Sequence, residues 1–181
     1  MKTFIALFRG INVGGNNRLP MKELVSVLDG LGLKNVRTYI QSGNVVFQSA
    51  TSNAVKLSRD IRAAIEESHG FAPHVLILSV REFQKAIASN PFPEGEGEPK
   101  SLHLFFLESI PDNPDMDRLD RLKTDREEFR LVDAIFYLHT PDGIGRSKLA
   151  ASVEKAMGVA LTARNWRSVT KIMELAVDLA E

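Results

Sequence analysis

The sequence has 181 residues, enough for one large domain or two small ones, and its 44% hydrophobic and 25% charged residues are typical of a globular protein. It contains no cysteine, which excludes a disulfide framework, a Cys-ligated metal and a thiol nucleophile. Neither a signal-peptide pattern nor an apolar stretch as long as a membrane helix is present. We therefore expect a cytoplasmic protein that acts away from membranes.

The net charge is zero, which argues against a protein covered with basic surface for nucleic acid. The charges are nevertheless uneven: residues 1–93 carry 11 Lys and Arg against 6 Asp and Glu, whereas residues 94–133 carry 6 against 12. An anion site is expected outside this acidic section. The alternative is that the acidic section packs or is solvated beside the basic one.

The first half alternates the patterns of strands and helices. Predicted strands and helices occupy, in order, residues 3–9, 20–31, 35–41, 44–48, 52–68 and 74–78. The two middle strands are joined by the tight turn Ser42-Gly43, and the second helix has Ser52 as its N-cap and Gly70 as its left-handed C-cap. The order β-α-β-β-α-β is that of a ferredoxin-like fold.

An extra helix and a break follow this first half. Ser79 and Glu82 have the spacing of a capping box for a helix at residues 80–88. Residues 90–99 contain three prolines and two glycines, with three glutamates between them, so we expect them to lack regular structure and to link two domains.

The second half repeats the same order of elements. Predicted elements are a strand at 102–107, a helix from Asn113-Pro114, a hairpin of 129–132 with 135–138, a helix at 146–157, a strand at 159–164 and a terminal helix capped by Asn165. The sequence thus predicts an α+β protein of two ferredoxin-like subdomains, each an antiparallel sheet with two helices on one face. Their bounds are 1–90 and 101–181, with a linker at 91–100.

The first candidate site is the loop at residues 9–18, between the first strand and the first helix. Glycine N–H groups and a helix N-terminus favour anions, so Arg9, Asn12, Gly14, Gly15 and Arg18 are candidate ligands. The loop lacks the Lys-Ser/Thr pair of a phosphate loop, which argues against a conventional ATPase or GTPase. The structural alternative is a tight turn in which the asparagines satisfy backbone groups.

The second candidate site is the loop at residues 143–148. We expect Arg146 and Lys148 in the first turn of a helix, where the helix dipole disfavours cations by roughly 0.3–1 kcal/mol each. A bound anion, also contacted by Ser147, would explain them. The alternative is that Asp or Glu side chains of the acidic section supply the negative charge.

Other residues add to these candidates. Arg164, between the last strand and the Asn165 cap, is a possible phosphate or carboxylate ligand, whereas Trp166 is assigned to the core. Ser42 and Asn44 fit simple hairpin chemistry, but they are kept as candidate lining residues of the same cleft. The four histidines have no ligand cluster near them in sequence, so neither a metal nor a cofactor is expected.

Five motifs resemble a bacterial family known as domain of unknown function 1697. They are Arg-Gly-Ile-Asn-Val-Gly-Gly at residues 9–15, Tyr-Ile-Gln-Ser-Gly-Asn-Val-Val-Phe at 39–47, Asn-Pro-Phe at 90–92, Gly-x-Gly-x-Ser-Lys-Leu at 143–149 and Thr-x-Arg-Asn-Trp at 162–166. The resemblance covers nearly the whole chain. It implies two ferredoxin-like subdomains and no established activity.

Three functions remain open at this point. The first is binding of a phosphorylated small molecule or nucleotide at a cleft between the subdomains. The second is RNA binding through the ferredoxin-like sheets, which needs aromatic side chains on the central strands and a basic face. The third is an enzyme acting on a phosphate or carboxylate substrate, for which the sequence offers no base–nucleophile pair. A monomer or a weak homodimer is expected.

Overall fold

The computed structural model describes residues 1–180; Glu181, the end of the predicted second subdomain, lies outside the described residues. The chain divides into two compact units, Met1–Lys85 with the chain from Thr170 onward, and Ala86–Val169. No helix in the described residues is long and apolar enough to cross a membrane.

The first unit is built on a four-stranded antiparallel sheet. Its elements are β1 (Lys2–Arg9), α1 (Met21–Gly30), β2 (Lys34–Tyr39), β3 (Asn44–Ser49), α2 (Ala54–His69), β4 (His74–Ser79) and the start of α3 (Val80–Ala88). The strand order is β2-β3-β1-β4. Because side chains alternate along a strand, Phe4, Ala6 and Phe8 of β1 share one face, and they pack in a single cluster with Leu24 of α1 and Ile61 of α2.

The second unit repeats this architecture. Its elements are β5 (Leu102–Leu107), α4 (Met116–Leu122), β6 (Glu128–Val132), β7 (Ile135–His139), α5 (Lys148–Met157), β8 (Leu161–Asn165) and the start of α6 (Trp166–Ala180). The strand order is β6-β7-β5-β8, and Phe105, Phe136, Leu119 and Val153 belong to its core cluster. Both strand orders are those of a ferredoxin-like sheet, so the predicted fold class is confirmed.

Local signals set several boundaries as expected. Ser79 and Glu82 form the predicted capping box: the Ser79 N–H donates to the Glu82 carboxylate at 2.8 Å, and the Glu82 N–H donates to Ser79 Oγ at 3.2 Å. Gly70 and Gly158 end α2 and α5 in the left-handed conformation.

Other helix starts differ from the prediction. The N-cap of α2 is Asn53, whose Oδ1 accepts from the Lys56 N–H at 2.9 Å, and not Ser52. The cap of α4 is Asp115, so this helix begins later than Asn113-Pro114. Ser, Thr, Asn and Asp are all good caps, so a run of them leaves the exact start open.

Two loops also differ. β2 ends at Tyr39, and Ile40 takes a left-handed φ of 51° at the start of a turn that ends at Gly43. The expected irregular linker contains a 3-10 helix, Pro93–Gly97. Asn90 organises it, because its Oδ1 accepts from the Phe92 N–H at 3.0 Å and its Nδ2 donates to Glu96 Oε1 at 2.8 Å.

Candidate functional site

The first loop (residues 9–18) folds as a miniature hairpin. The Asn16 N–H donates to the Val13 carbonyl at 3.0 Å, and Gly14 and Gly15 have φ of 59° and 79°, the pattern of a type I′ turn. The helix α1 begins only at Met21, with Pro20 before it and no side-chain cap. The N–H groups of this loop are therefore separate from those of the helix N-terminus.

The side chains of two asparagines in the first loop bond to backbone groups, some within the loop and some outside it. Asn12 Nδ2 donates to the carbonyls of Leu19 at 2.8 Å and Gln41 at 3.0 Å, while its Oδ1 accepts from the Leu19 N–H at 2.7 Å. Asn17 Nδ2 donates to the Gly10 carbonyl at 2.9 Å. These are the contacts that the structural alternative describes.

The turn between β2 and β3 lies against the first loop. Gly43 accepts a hydrogen bond from the Phe8 N–H at 2.9 Å, and a Cβ at Gly43 would lie 2.5 Å from Phe8 Cβ and 2.8 Å from Ile11 Cδ1. Asn44, only 1% exposed, donates from Nδ2 to Ser42 Oγ at 2.9 Å. The structure thus brings the first loop together with the turn that contains Ser42 and Asn44. The contacts between them are mostly ones that hold the fold.

The two arginines of the first loop are exposed. Arg9 ends β1 opposite His74 of β4, and Arg18 makes no side-chain hydrogen bond or ion pair with any residue in 1–180. Among the candidate ligands of the first loop, Arg18 is therefore a cation whose charge is not paired within the described fold.

The second loop (residues 143–148) differs from the predicted helix start. Ile144–Arg146 is a 3-10 helix, Ser147 is the N-cap of α5, and Lys148 is the first helical residue. The expectation that both cations lie in the first helical turn is wrong for Arg146, because Ser147 Oγ accepts from the Ala150 N–H at 3.0 Å and so fixes the start after it. The helix-dipole argument applies to Lys148 alone.

The cations of the second loop are not neutralised within the described fold. Arg146 and Lys148 are exposed, and neither side chain makes a hydrogen bond or ion pair with any residue in 1–180. Ser147 is buried and its oxygen is occupied by the cap, although its O–H can still donate. The acidic partners that the structural alternative requires are not found among the described residues.

Arg164 has a different environment. It lies in β8 and is 9% exposed, and its Nη1 donates to Thr162 Oγ1 and to the Ala163 carbonyl, both at 2.8 Å. Burial lowers the pKa of Arg164 to about 10, so it remains charged at neutral pH. This guanidinium is at least partly engaged by its own strand.

A cavity of about 300 Å³ adjoins the second loop. Its lining residues, all in the second unit, are Glu98, Pro99, Lys100, Ser101, Thr140, Pro141, Gly143 and Arg167. Ser101 and Thr140 are held together by a hydrogen bond from the Thr140 N–H to the Ser101 carbonyl at 2.7 Å. Among the lining residues, Lys100 has an exposed side chain with no hydrogen bond or ion pair to residues 1–180.

Sequence reasoning missed Lys100 and Arg167 as site residues. A signal did exist in the strand pairing: β5 and β7 are antiparallel with Leu102 opposite His139, so the next pair outward is Ser101 with Thr140. Extending the β5–β7 pairing by one residue pair brings Lys100 beside the start of the second loop, but this pairing joins non-consecutive strands and is not part of the predicted hairpin.

A second cluster brings together three side chains that can bind a metal. One ligand atom from each of Glu94, Glu128 and His139 lies within 4.8 Å of the other two. Glu128 and His139 are directly opposite each other in the β6–β7 hairpin. The sequence prediction of isolated histidines overlooked this pair because the two residues are 11 positions apart and meet only through the hairpin register.

His103 contributes no positive charge to this unit at neutral pH. It is 8% exposed, its Nδ1 has no hydrogen-bond partner among the described residues, and burial lowers its pKa to about 4. Tyr137 is also buried, its hydroxyl donates to the Ala86 carbonyl at 2.6 Å, and burial raises its pKa to about 12. Both groups are neutral at pH 7.

Comparison with known proteins places the chain in a family. The model of the family described as protein of unknown function (DUF1697) matches residues 1–137, and no curated protein matches. Over 97% of this chain and 98% of the other, the fold is similar to that of the conserved bacterial protein SP0830 from Streptococcus pneumoniae, with a TM-score of 0.67 and 24% sequence identity. Since the family model covers well over half of the sequence, the chain belongs to the DUF1697 family of proteins of unknown function.

Proposed function

We propose that this protein binds a phosphorylated small molecule in the 300 Å³ cavity of the second unit. The observation that carries the proposal is the combination of two basic residues, Lys100 and Arg167, in the lining of an open cavity directly beside the second loop. The cavity volume is at the lower end of the range of small-molecule sites, which favours a sugar phosphate or a mononucleotide over a larger cofactor.

Charge supports an anionic ligand. Lys100 and Arg167 line the cavity together with a single carboxylate, Glu98, so the lining has one more positive than negative charge. The Lys100 ammonium has three donors and no partner among residues 1–180. A hydrogen bond from a charged donor to a phosphate contributes about 1.5–3 kcal/mol, more than a neutral one.

The second loop adds to the positive potential. Arg146 and Lys148 follow the lining residue Gly143 by three and five positions, and both are exposed. Lys148 is placed at the start of α5, where the helix dipole is also positive. An anion bound nearby would relieve this unfavourable arrangement, which is the reason for retaining both side chains in the proposal.

The polar part of the wall is already fixed in position. Ser101 Oγ donates to the Glu98 carbonyl at 2.8 Å, Thr140 Oγ1 donates to the Ser101 carbonyl at 3.3 Å, and the Gly143 N–H donates to the Thr140 carbonyl at 2.9 Å. These bonds preorganise the wall, so binding need not order it. In these bonds the hydroxyls of Ser101 and Thr140 donate to carbonyl oxygens and not to a general base that could activate them. We therefore propose no reaction.

Burial of the sheet faces makes RNA binding the weaker candidate. Bases stack on aromatic rings that are exposed on the central strands of a sheet. The central strands are β1, β3, β5 and β7. Their aromatic side chains are all buried: Phe4, Phe8, Phe47, Phe105, Phe106, Phe136 and Tyr137. Together with the zero net charge, this favours a small ligand.

The test is a thermal-shift screen of sugar phosphates and mononucleotides on the full-length protein, with their dephosphorylated forms beside them. We expect at least one phosphorylated compound to raise the melting temperature, and Lys100→Ala to abolish the rise. The matched control is Lys155→Ala, which removes the same charge from the exposed end of α5, outside the cavity lining.

Two results would overturn the proposal. One is a full screen without a phosphate-dependent shift; the other is a shift that Lys100→Ala leaves unchanged. Short RNAs in a mobility-shift assay complete the design, because retardation that Lys100→Ala does not affect would favour the RNA hypothesis instead.

A further inference from the structure

A metal-ligating cluster is formed by residues of the second unit that do not line the proposed anion cavity. We infer that Glu94, Glu128 and His139 form a site for a divalent cation of the Zn²⁺ type. The inference is independent of the proposed function, since none of the three residues lines the cavity of Lys100 and Arg167.

The hairpin β6–β7 supplies two of the three ligands. Glu128 and His139 are opposite each other in register, so their side chains project on the same face of the sheet. This face is opposite to the one on which Phe129, Phe136 and Leu138 pack in the core cluster. The hairpin register alone therefore brings a carboxylate next to an imidazole.

The 3-10 helix Pro93–Gly97, which follows the Asn90-Pro91-Phe92 motif, supplies the third ligand, Glu94. Asn90 holds the 3-10 helix Pro93–Gly97 through its bonds to Phe92 and Glu96, and this helix carries Glu94. Glu94 Oε1 lies 3.9 Å from His139 Nδ1. A motif that otherwise has only a local structural role thus positions a ligand.

The imidazole ring is held from two sides. The Phe92 ring stacks on it with centroids 6.1 Å apart and an interplanar angle of 27°. On Gly95, a Cβ would lie 3.1 Å from His139 Cδ2 and 3.4 Å from Nε2, so the backbone there approaches the ring closely. Fixing the ring of a histidine ligand is what packing around a metal site must achieve.

The spacing of the ligands differs from that of an ordinary hydrogen bond. In the first unit, His69 Nε2 and Glu23 Oε2 are 2.7 Å apart, a normal hydrogen-bond distance. The 3.9 Å between His139 and Glu94 is too long for one. Ligand atoms at about 2.1 Å from a tetrahedral ion are separated by about 3.4 Å, so small rotations of the two exposed glutamates would complete a three-ligand site.

The donor set selects the kind of cation. One imidazole nitrogen with two carboxylates suits Zn²⁺, Mn²⁺ or Co²⁺, whereas Mg²⁺ and Ca²⁺ prefer oxygen ligands alone. Glu94 and Glu128 also line a cavity of about 500 Å³ that contains Asp120, Lys123 and Arg130. Three protein ligands leave a further coordination position for water or for a ligand in that cavity.

The test is isothermal titration calorimetry of ZnCl₂ into the full-length protein. We expect one saturable site, at least 100-fold weaker binding in His139→Gln, and about tenfold weaker binding in Glu94→Gln and Glu128→Gln. The control is His69→Gln, since His69 also has a carboxylate neighbour but belongs to no three-ligand cluster in the described residues. MgCl₂ should show no comparable site.

A spectroscopic readout separates the site from surface binding. Co²⁺ in the wild-type protein should give visible absorption bands of a low-coordinate, nitrogen-ligated ion, and His139→Gln should remove them. Absence of saturable Zn²⁺ binding to the wild type would overturn the inference. Equal loss of binding in His69→Gln and His139→Gln would overturn it as well. The two glutamates are exposed, so their variants report on binding even if His139→Gln weakens the fold.

Discussion

The two glycine-rich loops look alike in sequence but use their polar side chains in opposite ways. In the first loop, the Asn12 side chain bonds to backbone groups of Leu19 and Gln41, and the Asn17 side chain bonds to the Gly10 carbonyl. In the second loop, the side chains of Arg146 and Lys148 make no hydrogen bond or ion pair with any residue in 1–180. Asparagine beside glycine therefore indicates a turn whose backbone groups are satisfied by side chains, whereas cations beside glycine, Arg18 of the first loop included, leave charge available for a ligand.

The largest effect is expected where the first loop meets the β2–β3 turn. Gly43→Ala places a methyl group 2.5 Å from Phe8 Cβ at a residue with φ of 74°. Overpacking and left-handed strain together should lower the free energy of unfolding by about 3 kcal/mol or more. Urea denaturation measures it.

Matched glycines sharpen this prediction. Gly14→Ala has a φ of 59° but no atom within 4 Å of its Cβ, so it isolates the left-handed strain of about 1–2 kcal/mol. Gly145→Ala has neither strain nor crowding and should change stability by about 0.5 kcal/mol or less. Equal losses in the three variants would show that packing on Phe8 and Ile11 is not the cause.

The pH dependence of stability tests whether burial keeps His103 neutral in the folded second unit. Burial lowers the pKa of His103 to about 4, so the unfolded chain takes up a proton below pH 6.5 before the folded protein does. Stability is therefore lost as the pH falls from 6.5 toward 4, by about 2–3 kcal/mol.

His103→Leu should remove this part of the pH dependence. Denaturation midpoints at pH 7 and pH 4.5 measure the difference, with the wild type losing more stability than the variant. A variant with the same slope as the wild type would assign the acid sensitivity to other groups.

Removing the amide of Asn12 should destabilise the first loop. Asn12→Ala leaves three hydrogen-bonding partners unpaired, the N–H and carbonyl of Leu19 and the carbonyl of Gln41, and should lower the free energy of unfolding by about 2 kcal/mol. Asn16→Ala is the control in the same loop, with no side-chain hydrogen bond in the described structure, and should have little effect. Similar losses in both variants would contradict the claim that the Asn12 side-chain hydrogen bonds stabilise the first loop.

The second loop should respond in the opposite way. Arg146→Ala combined with Lys148→Ala removes two unpartnered cations, one of them at a helix start, so stability should be unchanged or raised by up to about 1 kcal/mol. Phosphate-dependent stabilisation of the double variant should fall or disappear. A clear loss of stability in the ligand-free double variant would mean that these side chains have structural partners.

The fold could be predicted from the sequence because its signals are local and periodic. Apolar runs such as Leu102–Leu107, the capping box at Ser79 and the left-handed glycines each act within a few residues. Helix starts were less certain where several capping residues follow one another, as before α2 and α4. A 3-10 helix held by one asparagine has no periodic signal, which explains why Pro93–Gly97 was missed.

The candidate sites were harder to predict because they depend on contacts across strands. Charge and glycine content pointed to the second loop, but Lys100 comes to it only through the pairing of β5 with β7. The metal cluster depends in the same way on the pairing of Glu128 with His139. Carrying the predicted β6–β7 hairpin register outward by one pair would have found two of the three metal ligands, Glu128 and His139.

The most direct test of the phosphate site compares the two loops in one experiment. Inorganic phosphate is titrated into ¹⁵N-labelled full-length protein at constant ionic strength, and backbone amide shifts are followed by NMR. Our account predicts saturable shifts at Lys100, Gly143 and Arg167, with the amides of residues 12–17 unmoved. Shifts confined to the first loop, or none that saturate, would contradict it.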